Sequence, residues 1–247
     1  MFSGLLLASS FITTAATADT LSIAVASNFQ TTLAEIADQF EAKTGHKIKV
    51  IPGSTGKHFA QISHGAPFDL FFAADARRPE LLEKKQLIVA GSRFTYAVGK
   101  LVLWSPSADY KLENGQVLDG QDFQYLAIAN PKLAPYGKAA WQYLQKTHRA
   151  QKLRSQMVRG ENIGQTYQFV KSGNAQLGLV ALSQVISQMI LNNTMSANYW
   201  PIPEQDYSPI KQQAVLLKDS PLAQDFLTWF KSAPARQIIH RYGYSTE

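Results

Sequence analysis

The sequence of 247 residues predicts an α/β fold with mostly parallel sheets, divided into two lobes. Short apolar runs, typical of buried strands, alternate along the chain with segments of helical periodicity. The length is sufficient for two compact cores. Hydrophobic residues make up 45% and charged residues 17% of the chain, a composition typical of globular proteins.

The first predicted unit is strand, helix, strand. Residues 21–26 form an apolar run bounded by polar residues, as a buried parallel strand does. The following helix is predicted by one apolar stripe, which consists of Phe29, Leu33, Ile36, Ala37 and Phe40. Gly45 is placed to end this helix, and residues 48–51 predict the next strand. We therefore expect a right-handed crossover between two parallel strands.

The same alternation continues to the end of the chain. Further strands are predicted over residues 69–73, 94–98, 101–104, 125–129, 177–182 and 213–217. A helix is predicted after the segment 52–56, to about residue 64, and another, capped by Asp75, contains residues 81–82. Further helices are predicted over residues 137–148, 163–170 and 183–190, with two more around residues 226–230 and 238–239. Strand crossings near residues 94–104 and 211–218 would insert one lobe into the other. We expect lobe I to contain residues 19–96 and 215–247, and lobe II to contain residues 97–214.

Residues 1–18 are expected to be a secretory signal peptide. Residues 2–12 are an apolar stretch too short for a stable membrane anchor. Ala16 and Ala18 form a small-x-small cleavage site, which makes Asp19 the expected mature N-terminus. No Lys or Arg precedes the apolar stretch. We expect an exported, soluble mature protein.

Composition narrows the possible functions. The chain has no cysteine, which excludes thiolate nucleophiles, disulfide bonds and cysteine-ligated metal centres. Its formal net charge is +6, but the Lys and Arg residues are scattered. We interpret them as a solvated basic surface and expect no nucleic-acid partner.

The sequence does not match a phosphate-binding P-loop or a histidine metal site. The pair Gly56-Lys57 does not complete a phosphate-binding P-loop, because Ile51 stands where the first glycine belongs and His58 where Ser or Thr should bind magnesium. The five histidines are not spaced as metal ligands. We expect His58 and His64 to lie on the surface.

Catalytic motifs are also missing. The sequence has no G-x-S-x-G nucleophile elbow. Asp69 and Asp75 lie around the end of a predicted strand, where we expect them to cap and orient the turn. The sequence therefore favours a binding protein over an enzyme.

Four segments place small hydroxyl, amide or glycine residues where a helix begins after a strand. They are residues 26–28 (Ala-Ser-Asn), 53–56 (Gly-Ser-Thr-Gly), 135–137 (Pro-Tyr-Gly) and 160–164 (Gly-Glu-Asn-Ile-Gly). A helix N-terminus has unpaired N–H donors and binds anions without a charged side chain. Ordinary helix capping explains each segment equally well when it is taken alone. In an open α/β sheet, however, such junctions meet at the carboxyl ends of the strands, where ligands bind.

Together with other segments in the same order, these junctions resemble the periplasmic molybdate-binding proteins of ABC transporters. The resemblance covers about residues 20–246. The segments that carry it are 24–28, 53–57, 65–75, 130–131, 134–137, 160–163 and 241–244. It implies a two-lobe periplasmic binding protein of type II, with a hinge between lobes that are each a mostly parallel sheet flanked by helices. It also implies a monomer in the periplasm that has no cofactor, binds molybdate or tungstate and delivers it to a membrane permease.

The resemblance also implies a ligand shell. It falls on Ser27, Asn28 and Ser54 in the first lobe, and on Tyr136 and Ile163, acting through backbone N–H groups, in the second. No metal ion would be coordinated directly, because molybdenum arrives as its oxyanion. One branch of the family has a tyrosine at the position of Ala181, whereas this chain is similar to the branch that has an asparagine at position 28.

Three alternatives remain at this point. Within the same class, the ligand could be another tetrahedral oxyanion such as sulfate. An enzyme on the same scaffold would need an acid–base pair or a nucleophile at the junctions, and these carry only neutral donors. The effector lobe of a transcription regulator is disfavoured by the export signal and by the lack of a helix-turn-helix segment.

Overall fold

The computed structural model describes residues 19–120 and 122–246. The expected signal peptide lies outside these residues. In the described ranges, no helix is long and apolar enough to cross a membrane. The chain folds there into two five-stranded sheets flanked by helices, and the predicted two-sheet α/β class is confirmed.

Strands and helices alternate along most of the chain. The strands are β1 (Thr20–Ala26), β2 (Lys47–Gly53), β3 (Leu70–Ala73), β4 (Phe94–Gly99), β5 (Leu101–Trp104), β6 (Leu126–Ala129), β7 (Met157–Gly160), β8 (Leu177–Ala181), β9 (Tyr199–Pro201) and β10 (Ile210–Leu216). The helices are α1 (Gln30–Thr44), α2 (Thr55–Ser63), α3 (Arg77–Lys84), α4 (Pro135–Lys146), α5 (Ile163–Lys171), α6 (Leu182–Leu191), α7 (Pro221–Phe230) and α8 (Ala233–Arg241). Sequence reasoning missed β7 and β9, which are short and lie at the edges of their sheet.

The two sheets have the same arrangement. The first has the order β2-β1-β3-β10-β4 and the second the order β7-β6-β8-β5-β9. In each, the first three strands are parallel and the last two pair antiparallel. The sheets are therefore mixed, because each receives one strand that enters it from the other sheet.

The chain passes between the sheets twice. It leaves the first sheet after β4 and enters the second at β5, with Lys100 between them. It returns between β9 and β10. We propose that the two lobes are divided at these passages, whereas the expected boundaries at 96/97 and 214/215 fall inside β4 and β10.

Helix α1 shows how the apolar pattern produces the packing. Its buried residues include Leu33, Ile36, Ala37 and Phe40, the stripe predicted from the sequence. Gly45 ends the helix in the left-handed conformation at φ 77°, and its N–H donates to the carbonyl of Glu41 at 2.8 Å. This capping turn directs the chain into β2.

An aromatic cluster anchors the beginning of α1. The ring of Phe29 is fully buried, with its centroid 4.7 Å from that of Tyr96 and 5.3 Å from that of Tyr244. It also packs against Phe72 and Phe230 at centroid distances of 6.2 and 6.1 Å. These contacts hold the first strand–helix junction against the core of the first sheet.

We expect Phe29→Ala to lower the free energy of unfolding by about 3–5 kcal/mol, because it opens a cavity among four other rings. Urea denaturation followed by far-UV circular dichroism measures the change. Leu191→Ala is the control, since Leu191 is 73% exposed and its truncation should cost about 0.5 kcal/mol or less. Equal losses in the two variants would contradict this account of the core.

Candidate functional site

The four strand–helix junctions meet in one narrow cavity between the two sheets. The cavity has a volume of about 10 Å³. The five residues expected at the site all line it: Ser27, Asn28, Ser54, Tyr136 and Ile163. Its other lining residues are Ala26, Gly53, Thr55, Ala74, Ala134, Pro135 and Asn162. The parallel strands β1, β2, β6 and β7 direct their carboxyl ends toward this point.

The Ser54 hydroxyl both caps α2 and faces the cavity. Its oxygen accepts a hydrogen bond from the N–H of Lys57 at 3.1 Å, as an N-cap side chain does. This bond uses a lone pair, so the hydroxyl proton is still available for another acceptor. Ser54 is only 2% exposed, and a group accepting that proton has to lie inside the cavity.

The second sheet contributes the first turn of α4. Pro135 occupies the start of the helix, where its lack of an N–H costs nothing. The N–H of the next residue, Tyr136, is in the first turn and has no acceptor within the helix. Gly137 allows this turn to lie against β6, since a Cβ there would be 2.6 Å from the carbonyl carbon of Ala129.

Ser27 links the two sheets at the start of α5. Its hydroxyl oxygen accepts from the N–H of Gly164 at 3.0 Å and donates to Oδ1 of Asn162 at 3.2 Å. Asn162 also caps α5, accepting from the N–H of Gln165 at 2.9 Å. Ile163 is the first residue of α5, so its N–H is one of those without an intrahelical acceptor.

Asn28 is buried, and its side chain is directed into the protein. Its Nδ2 donates to Oε1 of Gln212 at 2.8 Å and to the hydroxyl of Tyr244 at 3.0 Å. Its Oδ1 is buried without a hydrogen-bond partner. Asn28 therefore reaches both the cavity and a polar cluster behind it.

Sequence reasoning missed the contribution of α6. Ala181 is fully buried and its N–H donates to Gln184. Ser183 donates to the backbone carbonyl of Asn28 at 3.0 Å, and Nε2 of Gln184 donates to the carbonyl of Ile163 at 3.0 Å. These two polar residues hold the junctions at positions 28 and 163 in place. The only sequence signal for them is a Ser and a Gln directly after a predicted strand.

The cavity lining is electrically neutral. No Asp, Glu, Lys, Arg or His is among its lining residues. Burial raises the pKa of the Tyr136 phenol well above its ordinary value of 10.0, so it is un-ionised at neutral pH. A lining of this kind can donate hydrogen bonds to an anion without placing a fixed charge in the cavity.

Charged residues lie at the rim and connect the two sheets. Nζ of Lys57 lies 2.5 Å from the carboxylate of Glu161, and both side chains are about half exposed. Arg78 pairs with Asp75 and donates from Nη2 to the carbonyl of Lys132 at 2.9 Å. A backbone hydrogen bond also connects the two sheets: the N–H of Gly56 donates to the carbonyl of Leu133 at 2.9 Å. These contacts hold the two sides of the cavity together.

Comparison with known proteins relates the whole described fold to one family. Residues 21–245 match the model of the bacterial extracellular solute-binding protein family. The molybdate-binding protein ModA of Azotobacter vinelandii is 48% identical over 236 residues, which cover 94% of this chain and 92% of that protein. ModA of Rhodobacter capsulatus is 43% identical over 227 residues, covering 91% of this chain and 87% of that one.

A solved structure gives the same result. The periplasmic molybdate-binding protein of Azotobacter vinelandii superposes with a TM-score of 0.87 at 39% identity. The match covers 92% of this chain and 99% of that structure.

The expectation that His58 lies on the surface is wrong, because its ring is buried against Gly53, one of the residues that line the cavity. It is 3% exposed, and its Nδ1 lies 3.1 Å from Oε1 of Gln61. The ring packs so closely against Gly53 that a Cβ there would be 2.6 Å from Nε2. His58 and Ile62 are four residues apart and lie on the same buried face of α2. The sequence reasoning considered only the spacing of His58 and His64, which does not show this face.

Burial lowers the pKa of His58 below its ordinary value of 6.5, more strongly than the hydrogen bond with Gln61 raises it. As the pH falls through 6.5, the unfolded chain therefore takes up a proton that the folded protein resists. We expect the free energy of unfolding to decrease from about pH 6.5 downward until the folded protein is also protonated. Urea denaturation between pH 8 and pH 5 measures this, with His64→Gln as the control for an exposed histidine. A His58→Gln variant that keeps the full pH dependence would contradict the assignment.

Proposed function

The chain belongs to the bacterial extracellular solute-binding protein family, and from this we propose that it binds molybdate in the periplasm and delivers it to the permease of an ABC transporter. The observation that supports molybdate most directly is the neutral cavity, lined by helix N-termini and small polar side chains. The related proteins are solute-binding proteins, and the function is transport rather than catalysis.

The proposed ligand shell takes donors from both sides of the cavity. Ser54 would donate from its hydroxyl group, and Ser27 would do the same by turning its hydroxyl proton from Oδ1 of Asn162 toward the anion. Tyr136 and Ile163 would donate from backbone N–H groups at the starts of α4 and α5, and Asn28 would add a further donor. Such a shell requires no cofactor and no metal ion bound directly to protein atoms.

The chemistry of the anion fits a shell made only of donors. Molybdate at neutral pH is a dianion without a proton, so every oxygen accepts hydrogen bonds. Phosphate usually keeps a proton and gains from a carboxylate acceptor, which this lining lacks. A neutral shell also avoids the desolvation cost of buried lysines.

Size would distinguish among the remaining oxyanions. Sulfate accepts hydrogen bonds as molybdate does, but its shorter bonds would leave some donors of a cavity built for molybdate without an acceptor. Each unsatisfied donor costs about 1–3 kcal/mol, or roughly 5- to 150-fold in affinity. Tungstate has nearly the same size and charge as molybdate, and we propose that it binds comparably.

Binding would couple to closure of the two lobes. Contacts across the cavity, from Ser27 to Gly164 and from Gly56 to Leu133, join the two lobes in this structure. An anion held by donors from both lobes would favour a closed arrangement around itself, which the permease would recognise. We further propose that the protein acts as a monomer and that residues 1–18 direct its export.

We expect molybdate and tungstate to raise the melting temperature of the mature protein, whereas equimolar sulfate and phosphate leave it nearly unchanged, because only the larger dianions satisfy all the donors. Differential scanning fluorimetry gives the shifts, and titration calorimetry over molybdate, tungstate, sulfate, phosphate and chromate gives the affinities. Equal stabilisation by sulfate would contradict the assignment of molybdate as the ligand.

We expect Ser27→Ala and Ser54→Ala each to weaken molybdate binding by about 10- to 150-fold, the loss of one hydrogen bond to a charged group. Ser54→Ala should also cost about 1 kcal/mol of stability, because Ser54 caps α2. Ser220→Ala is the matched control, since Ser220 caps α7 in the same way, away from the cavity. Calorimetry that finds unchanged affinity in both site variants would show that the site lies elsewhere.

A further inference from the structure

A cluster of neutral side chains lies behind Asn28, around the fully buried Gln212 on β10. Oε1 of Gln212 accepts from Nδ2 of Asn28 at 2.8 Å and from the hydroxyl of Tyr96 at 3.0 Å. Its Nε2 donates to the hydroxyl of Tyr136 at 3.4 Å. Gln212 thus joins a cavity residue of the first sheet to a cavity residue of the second.

The arrangement leaves one atom of Asn28 unsatisfied. Both N–H bonds of its amide are used by Gln212 and Tyr244, whereas Oδ1 is buried without a partner. A buried acceptor without a hydrogen bond is unfavourable. It is also the wrong atom for an anion, because an oxygen that can only accept hydrogen bonds repels another acceptor.

Turning the two amides by 180° removes this conflict. The oxygen and nitrogen ends of an amide have nearly the same shape, so each group can turn in place. Asn28 and Gln212 have to turn together, because turning one alone would place two oxygens or two nitrogens 2.8 Å apart. After a joint turn, Nε2 of Gln212 donates to Oδ1 of Asn28, and Nδ2 of Asn28 replaces the unsatisfied oxygen.

The surrounding hydroxyl groups fit the turned arrangement. Tyr96 then receives a hydrogen bond from Gln212 and donates its own proton to the carbonyl of Ala73, 3.2 Å away. Tyr136 can donate to Oε1 of Gln212. Tyr244, whose proton goes to the backbone carbonyl of Asn28 at 2.8 Å in the unturned arrangement, can donate to Oδ1 of Asn28 instead, while Ser183 keeps its bond to that carbonyl. Each hydroxyl proton has an acceptor, and no side chain in the cluster has to move apart from the two amides.

We propose that Gln212 is a positioning residue for oxyanion binding: it turns together with Asn28, so that the anion meets amide N–H groups in place of a carbonyl oxygen. Through its contact with Tyr136, the same turn is transmitted to the second lobe. This inference rests on the proposed function, since the anion is what selects the turned arrangement. Burial supports it by raising the pKa values of the Tyr96 and Tyr244 phenols above their ordinary value of 10.0, which keeps both hydroxyl groups as donors.

The test compares three replacements by titration calorimetry with molybdate at pH 8. Gln212→Glu substitutes a carboxylate, which when ionised only accepts and so holds Asn28 in the unturned arrangement. Its charge also repels the anion, so the amide signals of Asn28 decide between the two effects. Gln212→Met removes both hydrogen-bonding ends and leaves Asn28 free to turn. Gln213→Glu is the control on the same strand, where the side chain contacts Arg93 and Thr95 and lies outside the cavity.

We expect Gln212→Glu to bind molybdate about 10- to 150-fold more weakly than Gln212→Met, and Gln213→Glu to bind like the unmodified protein. A second measurement needs no variant at position 212. In ¹⁵N–¹H spectra, both side-chain amide protons of Asn28, assigned from their absence in Asn28→Asp, should shift when molybdate is added. When the amide turns, these protons lose their hydrogen bonds to Gln212 and Tyr244 and donate to oxygens of the anion.

Each result has a definite reading. Failure of the unmodified protein to bind any oxyanion would overturn the proposed function. If the unmodified protein binds molybdate and its Asn28 amide signals do not change, only the joint turn is overturned. This measurement does not depend on whether Gln212→Glu folds. Equal affinity of folded Gln212→Glu and Gln212→Met would also overturn it.

Discussion

Backbone N–H groups in the first turn of a helix have no acceptor within that helix, and the cavity depends on this constraint. Strands β1, β2, β6 and β7 each end where such a turn follows, and the parallel pairing within each sheet brings the four turns together. Some of the donors are satisfied locally, by Ser54 in α2 and by Asn162 in α5. Tyr136 and Ile163, whose N–H groups have no acceptor within their helices, line the same cavity between the sheets. A tetrahedral anion satisfies such donors from several sides at once, which one capping side chain does not.

Much of this could be predicted from the sequence, because local patterns determine it. The apolar stripe of α1, its glycine cap and the small polar residues after each strand all mark their elements, and the five expected site residues line one cavity. Other features depend on partners distant in the chain. Strands β7 and β9 are too short to show a period, and His58 is buried because Gly53 leaves room for its ring. Gln212 stands between the polar residues Lys211 and Gln213, so the sequence does not mark it as buried, and only the fold brings it within 2.8 Å of Asn28, 184 residues away in sequence.

The side chains of Gln212 and Tyr136 can pack together because the neighbouring residue, Gly99, has no side chain. Gly99 faces this cluster, and a Cβ there would be 2.7 Å from Nε2 of Gln212 and would overlap the Tyr136 hydroxyl. Aromatic rings fill the space on the other side, where Phe29 packs against Tyr96 and Tyr244. The polar ends of the tyrosines are therefore held by packing of their rings. Polar groups in a rigid frame of this kind can exchange donor and acceptor roles while their positions stay the same.

The order of strands has a consequence for the assembly of the chain. The second sheet is built from one continuous stretch, from β5 to β9, and all its partners are present once residue 201 has emerged. The first sheet lacks the strand between β3 and β4 until β10 is available, near the C-terminal end. Closing that gap joins residues more than a hundred positions apart, which carries a large entropic cost and slows folding. In vectorial synthesis, the second sheet can therefore form before the first is complete, and the edges of β3 and β4 stay open to other chains longest.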